Sequence, residues 1–200
     1  MKKQLLIIII CSLLCIPFAS AQTPTAGDFE AIHEEVGLMI ERFEIGISRI
    51  ASKDSGKETK DRYATRILNL FMGNGYPYSD TQGNSHRAVH MQVSSANSST
   101  VINRTIPDYL NRLRNLSYAK VVITSADHYY LSNIYKVGDH YEATATIYQR
   151  FCGYGSDGSK KYCDVTVKTI RIIIQLIETY ETIRYEIRFG DIDVNETNVY

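Results

Sequence analysis

Tyr141-Glu142-Ala143-Thr144-Ala145-Thr146-Ile147-Tyr148-Gln149-Arg150-Phe151-Cys152, then a Gly- and Ser-bearing interval over 153–161, then Tyr162-Cys163-Asp164-Val165-Thr166-Val167-Lys168-Thr169-Ile170-Arg171-Ile172-Ile173-Ile174: the reading of this stretch decides the fold. Both runs alternate with period two and are rich in β-branched and aromatic residues, the signature of half-buried strands joined as a hairpin. A single contact sets the register of such a pair. With Cys152 opposite Cys163, residues Tyr141, Ala143, Ala145 and Ile147 meet Ile174, Ile172, Ile170 and Lys168 on one face. Glu142, Thr144 and Thr146 then meet Ile173, Arg171 and Thr169 on the other. The faces sort into largely apolar and largely polar, which is what a sheet with one covered side requires. A disulfide closing so short a loop contributes somewhat under ~3 kcal/mol, so it staples the hairpin and does not make the fold.

Working outward toward the C-terminus, a polar return at 179–182 leads into a strand over 183–194. The same rule sets Ile183, Tyr185, Ile187 and Phe189 on the apolar face, opposite Leu176, Ile174, Ile172 and Ile170. One step further Lys168 meets Asp191, Thr166 meets Asp193, and Gln149 lies beside them. Gln149, Lys168, Tyr185, Asp191 and Asp193 are therefore the candidate lining of a pocket with an apolar body and a few converging polar groups. The plainer reading of Lys168 with Asp191 is a cross-strand ion pair at a solvated rim.

Working back toward the N-terminus, strands are predicted over 118–125 and 129–137, the second joined to the strand over 141–152 by the hairpin turn Gly138-Asp139. That turn sets Tyr129 against Tyr148 and sends Tyr129, Leu131, Tyr135 and Tyr148 to the outer face. The chain has 15 tyrosines and no tryptophan. The outer-face group reads either as ordinary cross-strand packing or as a patch for a protein partner or a second copy.

Three helices precede the strands. Phe29, Ile32, Val36, Met39, Phe43, Ile47 and Ile50 recur at helical steps, giving a helix over 28–51. Ser55-x-x-Glu58 reads as a capping box for a second helix carrying Tyr63, Ile67, Leu70 and Phe71 and stopping at Gly73. Thr105-x-x-Asp108, with Pro107 in the tolerant first turn, caps a short third helix through Ile106, Tyr109, Leu110 and Leu113. Between them, 74–99 reads as a long loop with one short strand around Val89, Met91 and Val93.

The first residues, Met1-Lys2-Lys3, an apolar run over 5–18, and Ala19-Ser20-Ala21, are the three regions of a signal peptide, with cleavage expected after Ala21. The apolar run is shorter than the ~20 residues a bilayer crossing needs. Cys11 and Cys15 follow Ile10 and Leu14, not the small residue that a lipid anchor requires. The mature part, 22–200, is then a single domain in the periplasm or outside the cell, where a Cys152–Cys163 disulfide survives. The whole chain carries 22 Lys+Arg and 22 Asp+Glu, and loss of Lys2 and Lys3 leaves a slight acidic excess. Without a basic run, nucleic-acid binding is excluded as the reading.

Known chemical signatures are missing. His86-x-x-x-His90 has metal-ligand spacing but lacks the glutamate of H-E-x-x-H and a third ligand, so no metal is assigned. His33-Glu34-Glu35 reads as solvated helix surface. No nucleophile elbow, phosphate loop or dinucleotide fingerprint occurs, and no cofactor is assigned. Asn97, Asn103, Asn115 and Asn195 sit in N-x-[ST] frames, which matter only in a glycosylating pathway.

The order helix, helix, short strand, short helix, then long antiparallel strands resembles the NTF2-like (cystatin-like, SnoaL-like) superfamily over most of 28–194. Its carriers are the amphipathic first helix, the helix Ile106 to Leu113 before Tyr118-Ala119-Lys120-Val121, and the closing Tyr185-Glu186-Ile187-Arg188-Phe189-Gly190-Asp191-Ile192. The resemblance implies an α+β half-cone, with N-terminal helices packed on a curved, mainly antiparallel sheet, a pocket between the layers, and homodimers through the outer face. Members include isomerases, cyclases and non-catalytic modules, so fold does not select among them. For the isomerase branch Asp191 and Tyr185 are the acid–base candidates, but Lys168 beside Asp191 would hold that acid ionised. The reading reached is an exported, non-catalytic domain binding a protein partner or small ligand. The alternatives are a cofactor-free enzyme of the SnoaL or ketosteroid-isomerase kind, or a component of an envelope assembly that keeps 1–21 as an anchor.

Overall fold

Cys152 does face Cys163 across two long strands, and the pairs predicted from it over 141–151 and 164–174 are present. The computed structural model describes residues 24–80, 82–125, 129–178 and 183–200. The expected signal peptide, 1–21, and the polar return at 179–182 lie outside the described residues. The elements are α1 (Ala26–Ala51), α2 (Lys57–Leu68), β1 (Tyr78–Ser79), β2 (Ser85–His86), β3 (His90–Ser95), β4 (Ser98–Thr105), α3 (Ile106–Arg114), β5 (Lys120–Ser125), β6 (Tyr130–Leu131), β7 (Tyr135–Val137), β8 (His140–Tyr154), β9 (Lys160–Glu178) and β10 (Ile183–Val199). The main sheet runs β4-β3-β10-β9-β8-β5, with β6 and β7 also on β8, and is antiparallel except where β10 meets β3.

In the β8/β9 pair Tyr141 opposes Ile174, Ala143 opposes Ile172, Ala145 opposes Ile170 and Ile147 opposes Lys168. The sulfurs of Cys152 and Cys163 are at disulfide distance. The inward stripe Ile170, Ile172 and Ile174 is fully buried, together with Ile32, Val36, Met39, Phe43, Ile47 and Ile50 from α1. Phe43, Phe71 and Phe189 meet edge to face at centroid separations of 5.5 to 6.3 Å, a geometry that adds to burial alone. These three rings fill the middle of the space between helices and sheet.

Caps explain the helix starts. Thr25 and Asp28 form a complete capping box on α1, so that helix begins slightly before the predicted position and leaves Phe29 at its exposed edge. Thr105 caps α3 through the Asp108 amide. For α2 the predicted capping box is not formed. Gly56 is the N-cap and no side chain caps it, and the helix ends at Leu68, with Gly73 in a following tight turn at φ 56°.

Three features of the sheet differ from the expectation. First, β4 was not foreseen: the 74–99 stretch holds two small strands and then a β3/β4 hairpin, whose β3 lies parallel beside β10 through Ile192 and Met91. Asp191 Oδ1 accepts from the His90 amide at 2.8 Å, and Gln92 Oε1 accepts from the Val194 amide at 2.9 Å. Second, β10 is displaced by two residues from the predicted register, with Tyr185 opposite Leu176 and Phe189 opposite Ile172. Irregularities between Phe189 and Ile192 and between Val194 and Glu196 then change its parity. Third, Tyr135 pairs with Glu142 but Leu131 pairs with Ala145. One residue is therefore lost from register between β6 and β7, where Ser132 Oγ accepts from the Thr144 amide at 2.9 Å. A one-residue slip exchanges the faces.

The filled middle of the core makes a direct prediction. Phe189→Ala is expected to cost ~3–5 kcal/mol in urea unfolding because three facing rings cannot all collapse into the space left. Tyr135→Ala, on an exposed outer position, is expected to change stability by less than ~0.5 kcal/mol.

Candidate functional site

Beyond Ile147 and Ile170 the inward faces of β8 and β9 change from apolar to polar: Lys168, then Gln149 opposite Thr166, then Phe151 opposite Asp164. This end of the sheet is walled by α3 and residues 115–118 on one side and by the β3/β4 hairpin on the other. Between them lies a cavity of about 670 Å³, within the size range of small-molecule sites. Its apolar wall is Val93, Tyr109, Leu113, Leu116, Tyr118 and Phe151. Tyr118 can lie flat at this wall because residue 153 is glycine; a Cβ there would come within 2.5 Å of the Tyr118 ring.

The polar wall is a connected cluster. Lys168, only 5% exposed, donates from Nζ to Gln149 Oε1 at 2.8 Å. An ammonium has only donors, so it dictates that the amide oxygen face it and that Nε2 face away. That Nε2 is buried and has no partner among the described residues. Burial also pushes the Lys168 amine down to about 8, against the opposing charge of Asp164. Asp164 is itself buried. Loss of solvent raises its pKa, while the Tyr162 hydroxyl that donates to it and the charge of Lys168 oppose the rise. The Tyr162 hydroxyl in turn accepts from the Ala96 amide at 2.8 Å and lies 2.8 Å from Ser95 Oγ. The tip of the β3/β4 hairpin is thereby tied to β9 across the cavity.

Two of the five predicted pocket residues, Gln149 and Lys168, meet here. The other three lie elsewhere. Asp191 falls in the first irregularity of β10, turned toward β3, where it pairs with Arg87 and holds the His90 amide. It is not the neighbour of Lys168, whose β10 partner is Val194. Asp193 pairs with Thr169 and is exposed. Tyr185 borders a separate shallow depression with Glu35 and Arg184. The reason is the displaced register: Gly190 inside a strand was the available sign of a bulge, and a bulge breaks the parity on which the prediction rested.

Of the predicted outer-face group, Tyr135 and Tyr148 are exposed, and Tyr130 joins them. Tyr129 and Leu131 turn inward and pack against the core. The Tyr129 hydroxyl donates to the His33 carbonyl at 2.6 Å, and its ring sits over Gly37, where a Cβ would be 3.0 Å from the hydroxyl. His33 is exposed on the surface of α1, as expected, with the Tyr129 ring beside it at a centroid separation of 5.2 Å. His86 and His90 have separate partners, Asp80 for the first and the Ala88 carbonyl for the second. No helix among the described residues is long and apolar enough to cross a membrane.

Asp164, Tyr162 and Tyr118 were not singled out from sequence. For Asp164 a signal existed: it shares the period-two stripe of Thr166 and Lys168. Tyr162 and Tyr118 carried none, since their roles depend on the hairpin and link that close over them. Comparison with known protein families, with curated proteins and with solved structures finds no match for the chain.

The buried lysine has a measurable consequence. An unfolded lysine loses its proton near 10.5 and the folded one near 8, so between these values the unfolded chain binds more protons and stability rises with pH. The burial penalty is present in full below that window. Urea unfolding of the wild type and of Lys168→Met from pH 7 to pH 10 is expected to show the wild type gaining stability relative to the variant above pH 8. A constant difference would mean that the amine is solvated.

Proposed function

We propose that the mature chain is an exported, non-catalytic binding domain of the NTF2-like kind, and that the cavity beside Gln149 and Lys168 holds a small amphipathic ligand. Three helices against one side of a mainly antiparallel sheet, with the last strand central, support the half-cone reading. The cysteine pair supports export. One observation carries the binding reading: the middle of the core is closed by Phe43, Phe71 and Phe189, while the end bounded by Leu113, Leu116, Tyr118 and Phe151 stays hollow. Its polar wall offers the Lys168 ammonium, which has three protons to donate and whose hydrogen bond among the described residues goes to Gln149 Oε1.

Titration with Nile red, a neutral apolar dye, is expected to show saturable one-to-one binding to the wild-type mature protein. Leu116→Trp, which places a larger side chain in the cavity wall, is expected to weaken it by at least about tenfold, or ~1.4 kcal/mol. Unaltered binding by a folded Leu116→Trp protein would sink this reading.

A second reading, a cofactor-free acid–base enzyme, is favoured by one feature: Asp164 is a buried carboxyl with a raised pKa at the cavity wall, hydrogen-bonded by a tyrosine. On that reading a bound carbonyl ligand would exchange its acidic hydrogens with deuterated solvent faster than in free solution. Proton NMR would detect the exchange with wild type and its loss with Asp164→Asn.

A further inference from the structure

We infer that the ligand of this cavity carries a carboxylate, which enters against Lys168 and Gln149 while its apolar body lies along Leu113, Leu116, Tyr118 and Phe151; this rests on the binding reading above. The first ground is the donor. Lys168 Nζ has three protons to donate, and its hydrogen bond among the described residues goes to Gln149 Oε1. A charged donor bonds an ionised acceptor more strongly than a neutral one, so a carboxylate is favoured here over an alcohol or ether, and a cationic head would be repelled by the ammonium.

The second ground is charge. A buried ammonium is costly unless an anion faces it. No carboxylate of the described residues lies within ion-pair distance of Lys168, since the nearest acid to influence it, Asp164, acts on it only through its charge. Asp164 is turned to the Tyr162 hydroxyl. From the remaining walls the charged groups facing the cavity are Arg104 of β4 and Arg112 of α3. Both lean on Asp108, at 2.9 and 3.6 Å, so a single carboxylate serves two guanidinium groups and the cavity keeps a cationic excess. That excess draws anions toward the mouth. The third ground is shape: Lys168 stands beside buried Ile147, where the packed core ends, and the aromatic and leucine side chains form the rest of the wall, which orders the ligand head first.

The experiment uses the mature wild-type protein with two matched pairs, decanoate against decanol and phenylbutyrate against phenylbutanol, each displacing Nile red. At least one acid is expected to bind about tenfold or more tightly than its alcohol, a difference of ~1.4 kcal/mol. In Lys168→Met that preference is expected to fall to within about twofold, each acid being compared with its alcohol in the same variant so that any change in the variant's Nile red affinity cancels. Alcohols binding as tightly as their acids would overturn the carboxylate inference and leave the binding reading standing. Neither class displacing a dye that Leu116→Trp excludes would overturn the inference, again with the cavity intact. A dye that binds equally well to wild type and Leu116→Trp would overturn both.

Discussion

Side chains on a strand alternate, so the direct opposition of Cys152 and Cys163 commits the whole inward stripe of β8 and β9, from Tyr141 and Ile174 at one end to Phe151 and Asp164 at the other. Everything else is arranged around that commitment. The apolar two thirds of the stripe take the helices, and α1 lays Val36, Phe43, Ile47 and Ile50 against it. The polar third is left to the short helix α3 with the link that follows it, a hairpin and a cavity.

The cavity follows from the same constraint. Lys168 continues the stripe of Ile170, Ile172 and Ile174, so its stem enters the core and its amine emerges only where the core ends. Gln149 supplies the acceptor that the amine needs, at the expense of its own Nε2. Asp164, one period further from Thr166, supplies charge without contact and is itself stabilised by Tyr162. The cluster is polar, and among the described residues Gln149 Nε2 is buried without a partner while the Lys168 side chain borders a space of molecular size.

The outer face shows how small a change redirects a surface. A single residue lost from register between β6 and β7 sends Tyr129 and Leu131 inward and Tyr130 outward. Ser132 makes this possible by supplying a side-chain acceptor where the ladder breaks. At the opposite edge, Asp191 and Gln92 supply side-chain acceptors for the His90 and Val194 amides where β10 runs parallel to β3. In both places a polar side chain takes over a backbone bond, and the sheet bends its pairing around it.

The residues alone determined the class of fold, the three helices, the long hairpin with its register, and the placing of Lys168 and Gln149 on one inward face, because these follow from periodicity and from one pairing rule acting over neighbouring strands. They did not determine where Asp191, Asp193, Tyr129 and Leu131 point. Those depend on irregularities in β10 and at the β6/β7 junction, and each irregularity is decided by what packs or bonds beside it, β3 in one case and β8 in the other. The cavity was likewise beyond local pattern. It exists because the β3/β4 hairpin, distant in sequence from β9, is brought against Tyr162 while residues 115–118 close the other side, and only the assembled chain brings those walls together.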